Sequence, residues 1–126
     1  MSLLLDAGAL IAVERNDRDT LALIKQELLA ARVPMTHGGV VGQVWRGRAK
    51  RQANLARLLP ALDIVALDAS LGRRAGLLLG KSRRNDVIDA ALVLLANDGD
   101  FVLTSDPDDL EPLAESAELH IDIVPV

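Results

Sequence analysis

Leu3-Leu4-Leu5-Asp6 opens this chain and passes at once into the stretch Ala7-Gly8-Ala9-Leu10-Ile11-Ala12. A short apolar run of this kind reads as a buried strand, and the stretch after it as a helix. A strand that feeds straight into a helix is the first half of a strand–helix–strand crossover, the connection that a parallel sheet requires. The same alternation recurs down the chain. Residues 33–36, 64–67, 101–104 and 120–124 read as further strands. Residues 7–14, 20–31, 40–50, 53–59, 68–79, 86–96 and 107–114 read as helices, with 80–84 a polar, basic loop. Asp17 or Asp19, Asp68 and Asn85 are candidate helix caps. Pro34 suits an edge strand or a strand start, because it has no amide to donate. The pattern predicts a three-layer α/β/α sandwich, with a central, mostly parallel sheet of four to five strands. At 126 residues it fits a single domain, 1–126.

Composition narrows the function. Half of the residues are hydrophobic, yet Trp45 and Phe101 are the only aromatics. A core of Leu, Ala, Val and Ile packs helices on a sheet but offers little surface for stacking bases. With no Cys, disulfides and thiolate metal sites are excluded, which fits a reducing cytoplasm. The apolar run 90–96 is far below the roughly 20 residues of a membrane span, so no membrane association is expected. The apolar start has no basic region and reads as a first strand, not a signal peptide. The net charge is −4 but is unevenly placed: residues 46–84 hold ten basic and two acidic groups, and the rest four basic and sixteen acidic. Solvated helix faces would account for this. A phosphodiesterase with an acidic pocket beside a basic segment would as well.

Three acidic positions carry the chemistry. Asp6 closes the first strand, at the end of the sheet where open α/β folds bind ligands, though a helix cap would sit in the same place. Asp86 and Asp89 are three apart at the start of a helix and so share one face. Asp89 lies inside an apolar segment, where a charge needs a partner; a metal ion would serve, and so would Arg83 or Arg84. Asp106 follows the fourth strand in Thr104-Ser105-Asp106-Pro107-Asp108-Asp109, also readable as a capping turn with Asp108 and Asp109 facing solvent. Oxygen-rich sets of this kind suit Mg²⁺ or Mn²⁺. His37 and His120 are too few and too far apart for a His-based site. His37 suits a helix start better.

Four segments together resemble the PIN-domain ribonucleases of the VapC toxin type: residues 3–12, Val-Val-Gly-Gln-Val-Trp-Arg-Gly at 40–47, Asp-Val-Ile-Asp-Ala-Ala at 86–91 and Leu-Thr-Ser-Asp-Pro-Asp-Asp at 103–109. The resemblance covers essentially the whole chain. It implies a PIN-like α/β/α fold, a Mg²⁺ or Mn²⁺ site, RNA cleavage, a cognate antitoxin and a homodimer. Asp6 and Asp106 match two of the family's acids, and Asp86 or Asp89 the helix-start acid. At Gln43 the family usually has Glu, so a neutral side chain stands where a ligand is expected. The resemblance makes Asp6, Asp86, Asp89 and Asp106 the metal ligands, with Gln43 orienting a water or substrate. Arg46, Arg48, Arg83 and Arg84 become phosphate contacts, and Thr104 or Ser105 a hydrogen-bonding group beside Asp106. Two rivals remain: a PIN fold that binds RNA or protein without turnover, and a receiver-like phosphoacceptor domain. The latter wants paired acids at the first strand, where this chain has only Asp6.

Overall fold

Leu3, Leu4 and Leu5 are all buried because the first strand, β1 (Leu3–Leu5), is central in its sheet. The computed structural model describes residues 1–126. The other strands are β2 (Met35–His37), β3 (Asp63–Val65), β4 (Phe101–Thr104) and β5 (Asp122–Pro125). Their order is β3-β2-β1-β4-β5, and every adjacent pair is parallel. The sheet is thus wholly parallel and five-stranded.

The helices are α1 (Ala7–Glu14), α2 (Arg18–Leu29), α3 (Gly38–Val44), α4 (Ala53–Leu58), α5 (Ala69–Ser82), α6 (Val87–Leu95) and α7 (Pro107–Ser116). The two-residue period of a strand divides the core between them. Leu4 and Val102 face one way, onto α5, α6 and α7. Leu3, Leu5 and Leu103 face the other, onto α1 to α4.

Several boundaries differ from the sequence expectation. β2 begins at Met35, one residue past Pro34, whose carbonyl accepts from Asp63 N at 2.9 Å. β3 covers 63–65 and not 64–67, because Asp63 is the partner of Met35. β5 starts at Asp122, since His120 is held in the preceding turn: its amide donates to Asp98 Oδ1 and its carbonyl accepts from Gly99 N, both at 2.8 Å. α5 continues to Ser82, through residues expected to be loop, and stops where Arg83 turns left-handed at φ 58°. α3 ends at Val44, well short of residue 50. Asp17 and Asp68 cap α2 and α5 as expected.

The strand order positions the site. From β1 the chain winds outward to β2 and β3, then returns to place β4 on the other side of β1. The winding direction switches between β1 and β4, and the crevice outside the carboxyl ends of such a pair is where open α/β sheets bind ligands.

Candidate metal centre

Register brings the first and last acids together. Leu5 pairs with Leu103, and Asp6 N donates to Leu103 O at 3.2 Å, so Asp6 and Thr104 leave the sheet side by side. Asp6 is buried, and both of its oxygens are engaged. Oδ1 accepts from Ala9 N at 2.9 Å and caps α1. Oδ2 accepts from Thr104 Oγ1 in a short hydrogen bond. The cap and pocket readings of Asp6 therefore coexist, since a carboxylate has about four lone-pair sites. Thr104 Oγ1 also accepts from Asp106 N at 2.8 Å, which ties the β4–α7 turn to the same point. Burial pushes the Asp6 carboxyl above its ordinary value, with Asp106 nearby acting in the same direction; the bonds from Thr104, Ala9 and Gly8 oppose them.

The turn after β4 lies tight against α1. A Cβ at Gly8 would stand 2.1 Å from Ser105 Oγ and 2.9 Å from Ser105 N, so only glycine admits this approach.

The second pair of acids arrives on α6. Asp86, and not Asn85, is the cap: its Oδ1 accepts from Ile88 N at 2.9 Å and from Asp89 N at 3.1 Å. His37, at the end of β2, is wholly buried and anchors this turn. Its Nδ1 accepts from Gly39 N at 3.1 Å, which leaves the ring proton on Nε2, 2.8 Å from Ile88 O. Burial holds the imidazole below its usual value, in keeping with that neutral form. His37 thus caps α3, as expected of a helix-start residue, and adds a bond to α6.

Asp6, Gln43, Asp86, Asp89, Ser105 and Asp106 all line one open cavity of about 480 Å³, with Arg46 and Asp109. Asp109 was expected to face solvent. It is exposed, yet it also lines this cavity, one helical turn on from Asp106. The three-residue spacing was the signal that would have found it. Asp89 bears the consequence of the crowding. Burial, then the charges of Asp86, Asp6, Asp109 and Asp106, push its carboxyl up to about 7. No guanidinium relieves it, because Arg32–Glu27 is the only ion pair in the molecule. Arg83 and Arg84 line a neighbouring cavity of about 280 Å³ with Asn85, Asp86, Asp89 and Asp109, without pairing to them.

Arg48 lies apart from the acids, in a cavity of about 270 Å³ with Arg15, Arg46 and Arg51. Arg46 is shared between the two cavities. The donors facing the acidic cavity are oxygen atoms of several carboxylates, which fits a hard divalent cation. No three acids are drawn close enough to form a ready protein-only site. Mg²⁺ tolerates such an open set, since it keeps several waters and takes only one or two carboxylates.

No protein-family model matches the sequence, and no curated protein does. Among solved structures, the fold is similar to that of a chain in the crystal structure of VapBC2 from Rickettsia felis bound to a DNA fragment from their promoter. The TM-score is 0.70 over 98% of this chain and 98% of that one, at 12% identity.

Proposed function

We propose that this chain is a metal-dependent endoribonuclease and the toxin component of a type II toxin–antitoxin pair. One observation carries the reading. Five carboxylates converge on the switch-point cavity with no cation paired to them, and burial, then the repulsion of its four neighbours, pushes the Asp89 carboxyl up to about 7. The fold shared with a VapBC2 chain supports it, as does the resemblance of the segments that carry Asp6 and Asp106 to the PIN-domain ribonucleases.

In this reading Asp6, Asp86, Asp89 and Asp106 hold Mg²⁺ or Mn²⁺, and Asp109 adds charge at the rim. The bound metal supplies a water of lowered pKa and a counter-charge for the phosphoryl group. Thr104 fixes the rotamer of Asp6 through Oγ1. Asp86 and Asp6 each commit one oxygen to a helix cap, which locks their orientation before anything binds. Gln43 offers a neutral carbonyl to a water or a substrate hydroxyl. Arg46, Arg83 and Arg84 flank the acids, and Arg48 lies in the next cavity; all four receive backbone phosphates, with Ser105 at the rim. A cognate antitoxin would cover this cavity, and two copies of the chain would pair in a cytoplasmic complex. No helix is long and apolar enough to cross a membrane.

A second reading rests on Gln43 and on the open spacing of the acids. It is a PIN-like module that binds RNA without cutting it. Cleavage of an RNA pool by the purified chain separates the two, run with Mn²⁺, with Mg²⁺ and with chelator, beside Asp6→Asn. Metal-dependent cutting that disappears in Asp6→Asn supports the nuclease. RNA binding without turnover in any metal establishes the binding module instead.

A further inference from the structure

The cavity next to the acids has a construction of its own. Four arginines line it, Arg15 from just past α1 and Arg46, Arg48 and Arg51 from the segment between α3 and α4, against the single carboxylate of Glu14. None of the four is in an ion pair. The segment that carries three of them is irregular, yet it is held from beneath by one buried side chain, Gln52. Gln52 Oε1 accepts from Arg46 N at 2.9 Å and from Arg48 N at 3.4 Å. Its Nε2 donates to Val44 O at 2.9 Å and to Glu14 Oε1 at 2.7 Å. Every hydrogen-bonding position of that amide is used. The backbone of the loop is turned inward onto it. Arg46 Nη1 in turn donates to Gly42 O and Trp45 O.

We infer that this cavity is a preorganised subsite for a backbone phosphate of single-stranded RNA flanking the scissile one, and that Gln52 is its positioning residue. This rests on the nuclease reading for its substrate. The geometry argues for it in three ways. Guanidinium forks match phosphate oxygens, and four without a carboxylate partner on a cavity of about 270 Å³ make a concentrated anion site, with one nitrogen of Arg46 already held by backbone carbonyls. The cavity adjoins the acidic one and shares Ile11, Gln43 and Arg46 of its wall, so a strand crossing the acids can extend into it. A loop already fixed by Gln52 loses little conformational freedom on binding. The assignment adds Arg15, Arg51 and Gln52 to the nucleic-acid surface and sets Arg83 and Arg84 on a separate flank.

The chain carries its own reporter. Trp45 is the only tryptophan and adjoins Val44 and Arg46 of the cavity wall. A fluorescein-labelled ten-nucleotide RNA is titrated by anisotropy, with Trp45 emission followed in parallel, in chelator so that nothing is cut. Wild type is compared with Arg48→Gln/Arg51→Gln and with Gln52→Ala, each checked by its melting temperature. The double variant is expected to weaken binding by roughly tenfold at low salt. Its log-affinity against log-salt slope should be shallower by about 0.7, from the one lost single-strand phosphate contact. Gln52→Ala keeps every arginine, so weaker binding by a folded Gln52→Ala protein marks positioning. Unchanged affinity and slope in the folded double variant overturn the subsite, even if the chain proves to be a nuclease. Lost binding in the double variant supports it, even if no metal promotes cleavage. Displacement of the RNA by polyglutamate at equal charge concentration would assign the cavity to an acidic peptide instead and overturn the proposal.

Discussion

Asp89→Asn is expected to stabilise the metal-free protein at pH 8 while removing its response to Mn²⁺. Folding raises this carboxyl from an ordinary 3.8 to about 7. Between those values the folded state holds a proton that the unfolded state has released. Stability therefore falls as pH rises across that window and is lowest above pH 7. At about 1.36 kcal/mol per pH unit the ceiling is roughly 4 kcal/mol, and partial solvent contact screens it to about 1–3 kcal/mol. Asparagine is neutral throughout and escapes the penalty. A melting temperature higher by roughly 5 °C at pH 8 is expected, shrinking to nothing near pH 4, where the wild-type carboxyl is protonated as well. His37 contributes an opposite slope, since its lowered value favours the folded state as pH rises through the imidazole range. It is present in both proteins, so the difference between them isolates Asp89. Wild type at pH 8 should regain stability with Mn²⁺, by about 2.7 kcal/mol at a hundredfold excess over Kd, and the variant should not. Thermal melts from pH 4 to 8, with and without Mn²⁺, measure both effects. An Asp89→Asn protein that melts below wild type at pH 8 would show that the cavity does not strain this carboxylate.

Gly8→Ala is expected to destabilise the fold by about 1–3 kcal/mol, the usual cost of overpacking a tight contact. The new methyl would overlap Ser105 Oγ and press on Ser105 N, so the backbone of the β4–α7 turn must give way. The site should suffer with it, because the amide of Asp106, next in that turn, donates to the hydroxyl that holds Asp6. Gly76→Ala is the natural control. Nothing lies within 4 Å of its new methyl, and glycine inside a helix gives way to alanine with a gain of roughly 0.5–1 kcal/mol. Denaturant melts of the two variants should shift in opposite directions. Equal shifts would mean that the turn yields freely and that glycine is not required there.

These particulars show what the sequence could and could not say. β1 and β4 were legible because their apolar runs are local and end abruptly, and Asp6 and Asp106 followed from them. The cavity shared by those acids depends on strand order, a tertiary fact that no local pattern contains. α3 read as a longer helix because a lone glycine, Gly47, is a weak stop signal, yet in the fold Gly47 turns left-handed at φ 68°. A side chain seven residues beyond Trp45 captures two amides of that segment and unwinds it. Asn85 and Asp86 are both good caps on propensity, and only the bonds to Ile88 N and Asp89 N distinguish them. Arg15 and Asp109 were passed over for a common reason. Each looks like an ordinary exposed helix-end charge until the packing shows what it faces.

The hydroxyl that holds Asp6 comes 98 residues after it. Pairings that distant close late, because the long loop must be ordered before any contact rewards it. As the chain leaves the ribosome, Asp6 emerges well before Thr104 and stays without its partner until β4 has followed. The assembled centre therefore waits for the synthesis of β4. A truncated or stalled chain ending before Thr104 carries Asp6, Asp86, Asp89 and the whole basic segment, but it lacks the hydroxyl that holds Asp6 Oδ2. The timing of translation thus withholds the centre until β4 has been made.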